Sequence, residues 1–163
     1  MKFYNIIAGT NGVGKSSFTG VIKLRENLGR IIDVEDAIKK GISFTQETTL
    51  SGRKTLSTVR AAKEQGFAIR LFYIGLDSPE ECIKRIENRV SKGGHHIPTE
   101  DVLRRFAGRF NSLIEILPFC DEVLFFDNDN GFREIGEYKS DELLTKTDKI
   151  PQWYEELRKE IMK

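Results

Sequence analysis

Cysteine and histidine are scarce in this chain, with two of each in 163 residues, and their scarcity excludes two architectures. Cys82 and Cys120 are too few for a disulfide framework and match no metal spacing, so they read as small buried hydrophobes suited to a reducing compartment. His95 and His96 have no Cys or acid nearby in metal-ligand spacing, which excludes a zinc site built on them. An excess of one charge is missing as well. Twenty-six Lys and Arg stand against 25 Asp and Glu, a net charge of +1, so nothing global draws the chain to nucleic acid or an anionic membrane, and any anion binding must be local. Apolar runs are short: stretches such as 123–126 fall far below the ~20 residues that span a bilayer. The chain enters its first strand without a signal-peptide pattern, so a cytoplasmic protein with neither nucleic acid nor membrane as partner is expected. Repeats, low-complexity tracts and linkers are absent too, and residues 1–163 read as one domain with one core.

What is present is concentrated near the N-terminus. Gly9-Thr10-Asn11-Gly12-Val13-Gly14-Lys15-Ser16 fits the phosphate-loop pattern G-x-x-x-x-G-K-[ST]. Ahead of it, residues 3–8 form a short apolar run suited to a buried strand. Behind it, 17–28 read as a helix with Phe18, Val21, Ile22 and Leu24 inward. Strand, loop, helix is the setting that gives the pattern meaning. The glycines allow successive N–H groups to converge on an anion, and the helix N-terminus adds roughly half a positive charge at the same place. Lys15 is expected to reach the β- and γ-phosphates and Ser16 to ligate Mg²⁺, which implies ATP and Mg²⁺ as cofactors.

Further along, 29–33 read as a strand ending on an acid, 35–40 as a brief helix stopped by Gly41, and 43–46 as another strand. A helix over 53–65 ends at Gly66, and 67–76 form the clearest strand, rich in aromatic and β-branched residues. Ser78-Pro79-Glu80-Glu81 is a helix start with a capping Ser, Pro in the first position and Glu three residues past the cap. That helix runs to about 92. After Gly93-Gly94-His95-His96-Ile97-Pro98, a longer helix over 99–116 carries Val102, Phe106, Phe110 and Leu113 on one stripe. Helix, hinge, helix over about 79–112 has the shape of a lid. A last core strand spans 122–126, and a hairpin and a terminal helix with Trp153 and Leu157 occupy about 132–163. The fold class is α/β, a mainly parallel five-stranded sheet with helices on both faces, whose ligands bind at the carboxyl ends of the strands.

Acids at those ends are the candidates for chemistry. Phosphoryl transfer needs a carboxylate to orient the acceptor hydroxyl and take its proton. Asp33 and Glu35 follow the 29–33 strand and serve either that role or as caps on the next helix. Glu47 leaves an otherwise uncharged strand for a loop rich in hydroxyls, Thr48-Thr49-Leu50-Ser51-Gly52, and points to a site role. Arg85 and Arg89 share a helix face and could clamp a transferring phosphoryl group, though Glu81 stands four residues before Arg85 and could pair with it. Arg104, Arg105 and Arg109 are expected on a solvated surface.

Together these motifs resemble the zeta toxin family of P-loop kinases, in the branch often labelled predicted ABC-type ATPases. The resemblance rests on Ala8-Gly9-Thr10-Asn11-Gly12-Val13-Gly14-Lys15-Ser16-Ser17, Glu47-Thr48-Thr49-Leu50-Ser51-Gly52, Arg85-Ile86-Glu87-Asn88-Arg89-Val90, Gly93-Gly94-His95-His96-Ile97-Pro98, Arg104-Arg105-Phe106 and Phe126-Asp127-Asn128, in order from residue 3 to about 130. It implies an ATP- and Mg²⁺-dependent kinase with an adenylate-kinase-like core. The implied acceptor is the sugar 3′-hydroxyl of UDP-N-acetylglucosamine or a related UDP-amino sugar, and the implied partner is an antitoxin protein. Carried onto this chain, the loop Gly9 to Ser17 binds nucleotide, and Glu47, Thr48 and Thr49 line the acceptor pocket. Arg85, Arg89 and His95 act from the lid, and Asn128 lies near the base.

The chain departs from the family between its second and third strands. Only 34–42 separate 31–33 from the third strand, so ~20 to 30 residues of the family pattern, more than a crossover helix, are missing. Glu35 falls in the register of the family's general base and Asp33 two residues earlier; a different alignment leaves Asp33 alone, or no base. A nucleotide-binding protein that transfers nothing and acts through a protein partner, or a slow NTPase, is the alternative function.

Overall fold

The computed structural model describes residues 1–23 and 33–163. The strand expected over 29–33 and the end of the first helix therefore lie outside the described residues, except for Asp33. Strand β1 (Phe3–Ala8) leads through the glycine loop into helix α1 (Lys15–Lys23). Helix α2 (Val34–Lys40) is capped at its start by Asp33, whose carboxylate accepts from the Asp36 N–H at 3.0 Å, and ends at Gly41 in the left-handed conformation. Strand β2 (Phe44–Thr48), helix α3 (Lys54–Glu64) and strand β3 (Ala68–Gly75) follow. Helix α4 (Pro79–Ser91) begins as the sequence predicts: Pro79 opens it and the Ser78 hydroxyl accepts from the Glu81 N–H at 3.2 Å.

Six strands form one sheet in the order β2-β1-β3-β4-β5-β6, with β4 (Glu122–Asp127), β5 (Arg133–Lys139) and β6 (Glu142–Thr145) completing it. The first four are parallel and the last two antiparallel. The sheet is thus mainly parallel: four of the five expected strands stand among the described residues, the fifth, over 29–33, lies outside them, and the two strands of the C-terminal hairpin add to the sheet at its edge. Its turn places both Ser140 and Asp141 at positive φ, 53° and 63°, the twist a two-residue hairpin turn requires. Register aligns Ala8 with Thr48 and Tyr73, and Gly75 with Asp127, so four strand ends open on one rim.

Alternation along each strand divides the core in two, one layer per face of the sheet. Tyr4, Ile6, Leu71 and Phe125 face one layer with Val59 and Ala62 of α3 and with Trp153, Tyr154 and Leu157 of α7 (Gln152–Ile161). Ile7, Phe72, Ile74 and Phe126 face the other with Phe18 of α1, Cys82 and Ile86 of α4, and Val102 and Phe106 of α5 (Thr99–Ala107). Helices therefore cover both faces, each fully buried Phe, Ile or Leu contributing about 1.5–3 kcal/mol.

This division breaks the long helix expected over 99–116. Val102 and Phe106 belong to one layer, Phe110 and Leu113 to the other. A single straight helix could not face both, so the chain turns at 108–110 and resumes as α6 (Asn111–Ile116). Helix α4 and helix α5 are likewise seated on the sheet by buried Cys82, Ile86, Val102 and Phe106. No helix among the described residues is long and apolar enough to cross a membrane.

Candidate functional site

The loop that follows β1 starts where the Gly9 N–H donates to the Thr48 carbonyl at 3.2 Å, so β2 fixes its entry. Gly12 has φ +87°, and a β-carbon there would lie 2.5 Å from the Cys82 carbonyl oxygen. Only glycine lets the loop pass this close to α4. From the opposite side Asn128, just past β4, donates its side-chain N–H to the Val13 carbonyl at 2.9 Å. Asn128 thus braces the loop. Arg85 completes this brace: its guanidinium donates to the Asn128 carbonyl at 2.7 Å while its Nε pairs with Glu81 at 3.1 Å.

Lys15 folds back over the loop, donating to the Gly9 carbonyl at 2.8 Å and the Thr10 carbonyl at 3.1 Å. Burial pushes its ammonium down to about 8; Glu47 opposes the shift, while Arg89 and Arg105 add to it. Like charge gathered around the loop costs free energy that a bound anion would offset. Arg89 makes no ion pair with a described carboxylate and borders the loop beside Lys15.

Glu47 sits at the carboxyl end of β2, and both its oxygens reach α1. One accepts from the Ser16 hydroxyl at 3.0 Å and the other from the Thr19 hydroxyl at 3.0 Å. Ser16 and Thr19 are one helical turn apart and so present their hydroxyls together. A cleft of about 370 Å³ lies between the loop and the 94–97 segment, bounded by Lys15, Ser16, Glu47, Arg89 and His95. A second of about 310 Å³ continues it past Gly14, Ser17, Arg85, Asn88 and Asn128. On the far side of Glu47 a third cleft, of about 460 Å³, is lined by Asp33, Glu35, Thr45, Gln46, Lys54 and Thr58 as well as by Glu47 itself.

These clefts gather most of the residues singled out in the sequence. Gly9 to Ser17, Arg89, His95 and Asn128 meet around the loop, and Asp33, Glu35 and Glu47 around the third cleft. Others behave differently. Arg85 spends its guanidinium on Glu81 and on the carbonyls of Asn128 and Asp129. Thr48 accepts from the Leu50 N–H at 3.0 Å and Thr49 meets Ser51, so both hydroxyls serve their own turn, in which Leu50 is held at φ +56°. Asp33 is a cap, and Glu35 is exposed.

The expectation of solvated arginines holds for Arg104, which pairs with Asp101 on the surface. It fails for two others. Arg105 donates to the Asn11 side chain at 2.9 Å and so touches the loop. Arg109 is only 12% exposed, held between the rings of Phe106 and Phe110 and paired with Glu156. Their spacing was legible, but which helix face meets the loop is set by packing. Thr19, one turn past Ser16, was the missed residue that sequence spacing could have found.

The chemistry of this set fits a nucleotide polyphosphate. The loop, Lys15 and Arg89 offer converging donors and positive charge. Ser16 and Glu47 offer hard oxygen ligands for Mg²⁺, and no group of three or more His, Cys, Asp or Glu able to hold a metal is found among the described residues. That is the donor set of a cation held by one or two protein oxygens and by substrate phosphates.

No protein-family model matches the chain. An uncharacterized protein of Haemophilus influenzae is 32% identical over an alignment of 121 residues that covers 59% of this chain and 86% of that protein. Among solved structures, a chain of the PezAT chromosomal toxin-antitoxin system of Streptococcus pneumoniae is similar with a TM-score of 0.60 at 13% identity, over 99% of this chain and 85% of that one. The AvrRxo1-ORF1:-ORF2 complex with ATP gives a TM-score of 0.67 at 12% identity, and the complex with sulphate ions 0.64 at 13%. In both of these, 97% of this chain spans 64% of the AvrRxo1 chain. At such identities the likeness shows a common fold.

Proposed function

We propose that this chain, which belongs to one family with the uncharacterized Haemophilus influenzae protein, is an ATP-dependent kinase that transfers the γ-phosphoryl group to a hydroxyl of a small molecule. The observation that carries the reading is the position of Glu47. Its carboxylate lines both the phosphate-loop cleft and the cleft beyond, so donor and acceptor would meet across it. The likeness of fold to a complex containing ATP supports the choice of nucleotide.

Lys15 and Arg89 would bind the β- and γ-phosphates and neutralise charge that develops during in-line transfer. Ser16, with Glu47 beside it, would hold Mg²⁺, which supplies charge neutralisation across the phosphates. Asp33 or Glu35, facing the third cleft, would orient the acceptor hydroxyl and take its proton. Segment 79–112 would act as the lid, with His95 above the cleft. The acceptor implied by the zeta toxin resemblance is a UDP-amino sugar such as UDP-N-acetylglucosamine. An antitoxin partner and a cytoplasmic site of action belong to the same reading, supported by the likeness to a chain of a toxin-antitoxin system.

A second reading is favoured by Asp33, whose carboxylate is engaged by the Asp36 N–H, while Glu35 stands exposed. A chain without a free base would bind nucleotide and act through a protein partner, or release phosphate slowly to water. One experiment separates these readings: mass spectrometry of ATP, Mg²⁺ and a panel of UDP-sugars and nucleotides incubated with the protein or with Lys15→Ala. One added phosphoryl group on a UDP-amino sugar, absent with Lys15→Ala, supports the kinase. ATP binding with no acceptor gaining mass overturns it.

A further inference from the structure

Helix α7 lies after the last strand and carries none of the residues placed around the clefts. Its Trp153 and Leu157 bury it against the sheet. Its N-terminal end is tied by the Trp153 N–H to Asp77 at 2.7 Å and by the indole N–H to Asp127 at 2.8 Å. One residue on this helix has a different errand. Glu156 turns toward the end of α5 and accepts from Arg109 Nη2 with one carboxylate oxygen, the other being held by Gln152 at 3.3 Å.

Arg109 in turn fixes the turn that closes α5. Its Nη1 donates to the Phe106 carbonyl at 2.9 Å, and its guanidinium lies 4.2 Å and 4.3 Å from the ring centroids of Phe106 and Phe110. Its Nε is the buried side-chain polar atom left without a partner among the described residues. An arginine placed only for stability would be expected to satisfy that donor, because leaving it unpaired costs free energy. One turn back on the same helix end, Arg105 donates to the Asn11 side chain in the phosphate loop at 2.9 Å. Two polar contacts therefore meet on the same end of α5, Glu156 on Arg109 and Arg105 on Asn11, joined to each other by the helix backbone at Phe106, whose carbonyl Arg109 holds, and not by a bond between the two arginines.

We propose that Glu156 is a positioning residue for the phosphate loop, acting through Arg109 on the end of α5 and through Arg105 on Asn11. Helix α7 would then help set the resting geometry of the loop at Asn11, a point separate from the Asn128 contact with Val13. The affinity arm of the test rests on the reading of the loop as a nucleotide site; the structural arm does not.

The test compares Glu156→Gln, Arg105→Gln and the double variant in the full chain. Glu156→Gln keeps the shape of the side chain, and Trp153 and Leu157 keep α7 docked. Hydrogen exchange is followed at the amides of residues 9–16 without nucleotide, ATP affinity by calorimetry, and folding by thermal midpoint. Glu156→Gln is expected to speed exchange in the loop and to weaken ATP by about three- to tenfold, with loop residues more affected than the sheet. The double variant is expected to be no worse than Arg105→Gln alone, since both act on one link. Unchanged exchange at 9–16 in Glu156→Gln, or additive effects in the double variant, overturns the proposal. If Glu156→Gln does not fold, Arg109→Lys, which keeps the charge and loses the fork on the Phe106 carbonyl, gives the same comparison. A wild-type chain that binds no ATP sinks the kinase reading, and the exchange comparison still decides this one.

Discussion

Glu47 and Ser16, 31 residues apart in the chain, meet through a 3.0 Å hydrogen bond, and the second oxygen of the same carboxylate is taken by Thr19. The carboxylate at the end of β2 is thereby registered to the first turn of α1. Replacing Glu47 by Gln removes the charge while keeping the shape. Mg²⁺-dependent phosphotransfer is expected to fall about 100-fold or more, with a stability change of about 1 kcal/mol. Turnover assays at several Mg²⁺ concentrations, alongside urea denaturation, check this. Undiminished turnover would remove Glu47 from the site.

Lys15 predicts two pH effects. Its ammonium is pushed down to about 8 in the folded chain, with burial as the main cause, against an ordinary value of 10.5. Between those values the unfolded chain binds a proton that the folded chain has lost. Stability contributed by this group therefore rises with pH from about 8 to 10.5, the folded state being relieved of a buried charge. Lys15→Met is expected to lose that slope, as measured by denaturation at several pH values. The nucleotide binding proposed above is expected to show the opposite trend: above pH 8 Lys15 would have to take up a proton to present a cation, so ATP affinity is expected to decline. Calorimetry in buffers of different ionisation enthalpy would register that uptake.

Arg85 and Arg89, four residues apart on α4, should separate cleanly. Arg85 joins Glu81 to the backbone past β4, so Arg85→Ala is expected to lower stability by about 1–3 kcal/mol. Arg89 borders the clefts without a carboxylate partner among the described residues. Its replacement by Ala should leave the thermal midpoint nearly unchanged and reduce turnover at saturating ATP by about 10²-fold or more. Equal loss of stability in both variants would contradict this division.

Gly75 ends β3 against the flat of Trp153. A β-carbon at this position would stand 2.3 Å from the indole Cε2, far inside contact distance. Gly75→Ala must push the ring off Asp127, and a loss of about 1–3 kcal/mol is expected from such overpacking. Urea midpoints for Gly75→Ala and Gly52→Ala, the latter with open space around its β-carbon but φ +99°, separate steric crowding from backbone strain.

Much of the fold could be read locally. The glycine loop between a strand and a helix, the Ser78-Pro79 start, the stops at Gly41 and Gly66 and the hairpin after residue 132 all depend on a few adjacent residues, and all stand as expected. The long helix over 99–116 did not, because its apolar stripe serves two layers separated by the sheet, and periodicity carries no label for which layer a residue joins. The site divides the same way. Loop residues and Glu47 were legible from motif and strand end, but the contacts of Arg105 with Asn11 and of Arg109 with Glu156 arise from helices brought together late in the chain. Asp33 carried two meanings in the sequence, cap or base, and its bond to Asp36 fixes the first while leaving it on the wall of the third cleft.

The chain holds a single tryptophan, and Trp153 is buried with its indole N–H on Asp127, the residue before Asn128 and its hold on Val13. The molecule therefore carries its own optical reporter. Any event at the loop that disturbs the 127–129 segment alters the surroundings of one chromophore, so ultraviolet emission of the unlabelled protein offers a readout for the nucleotide binding proposed above.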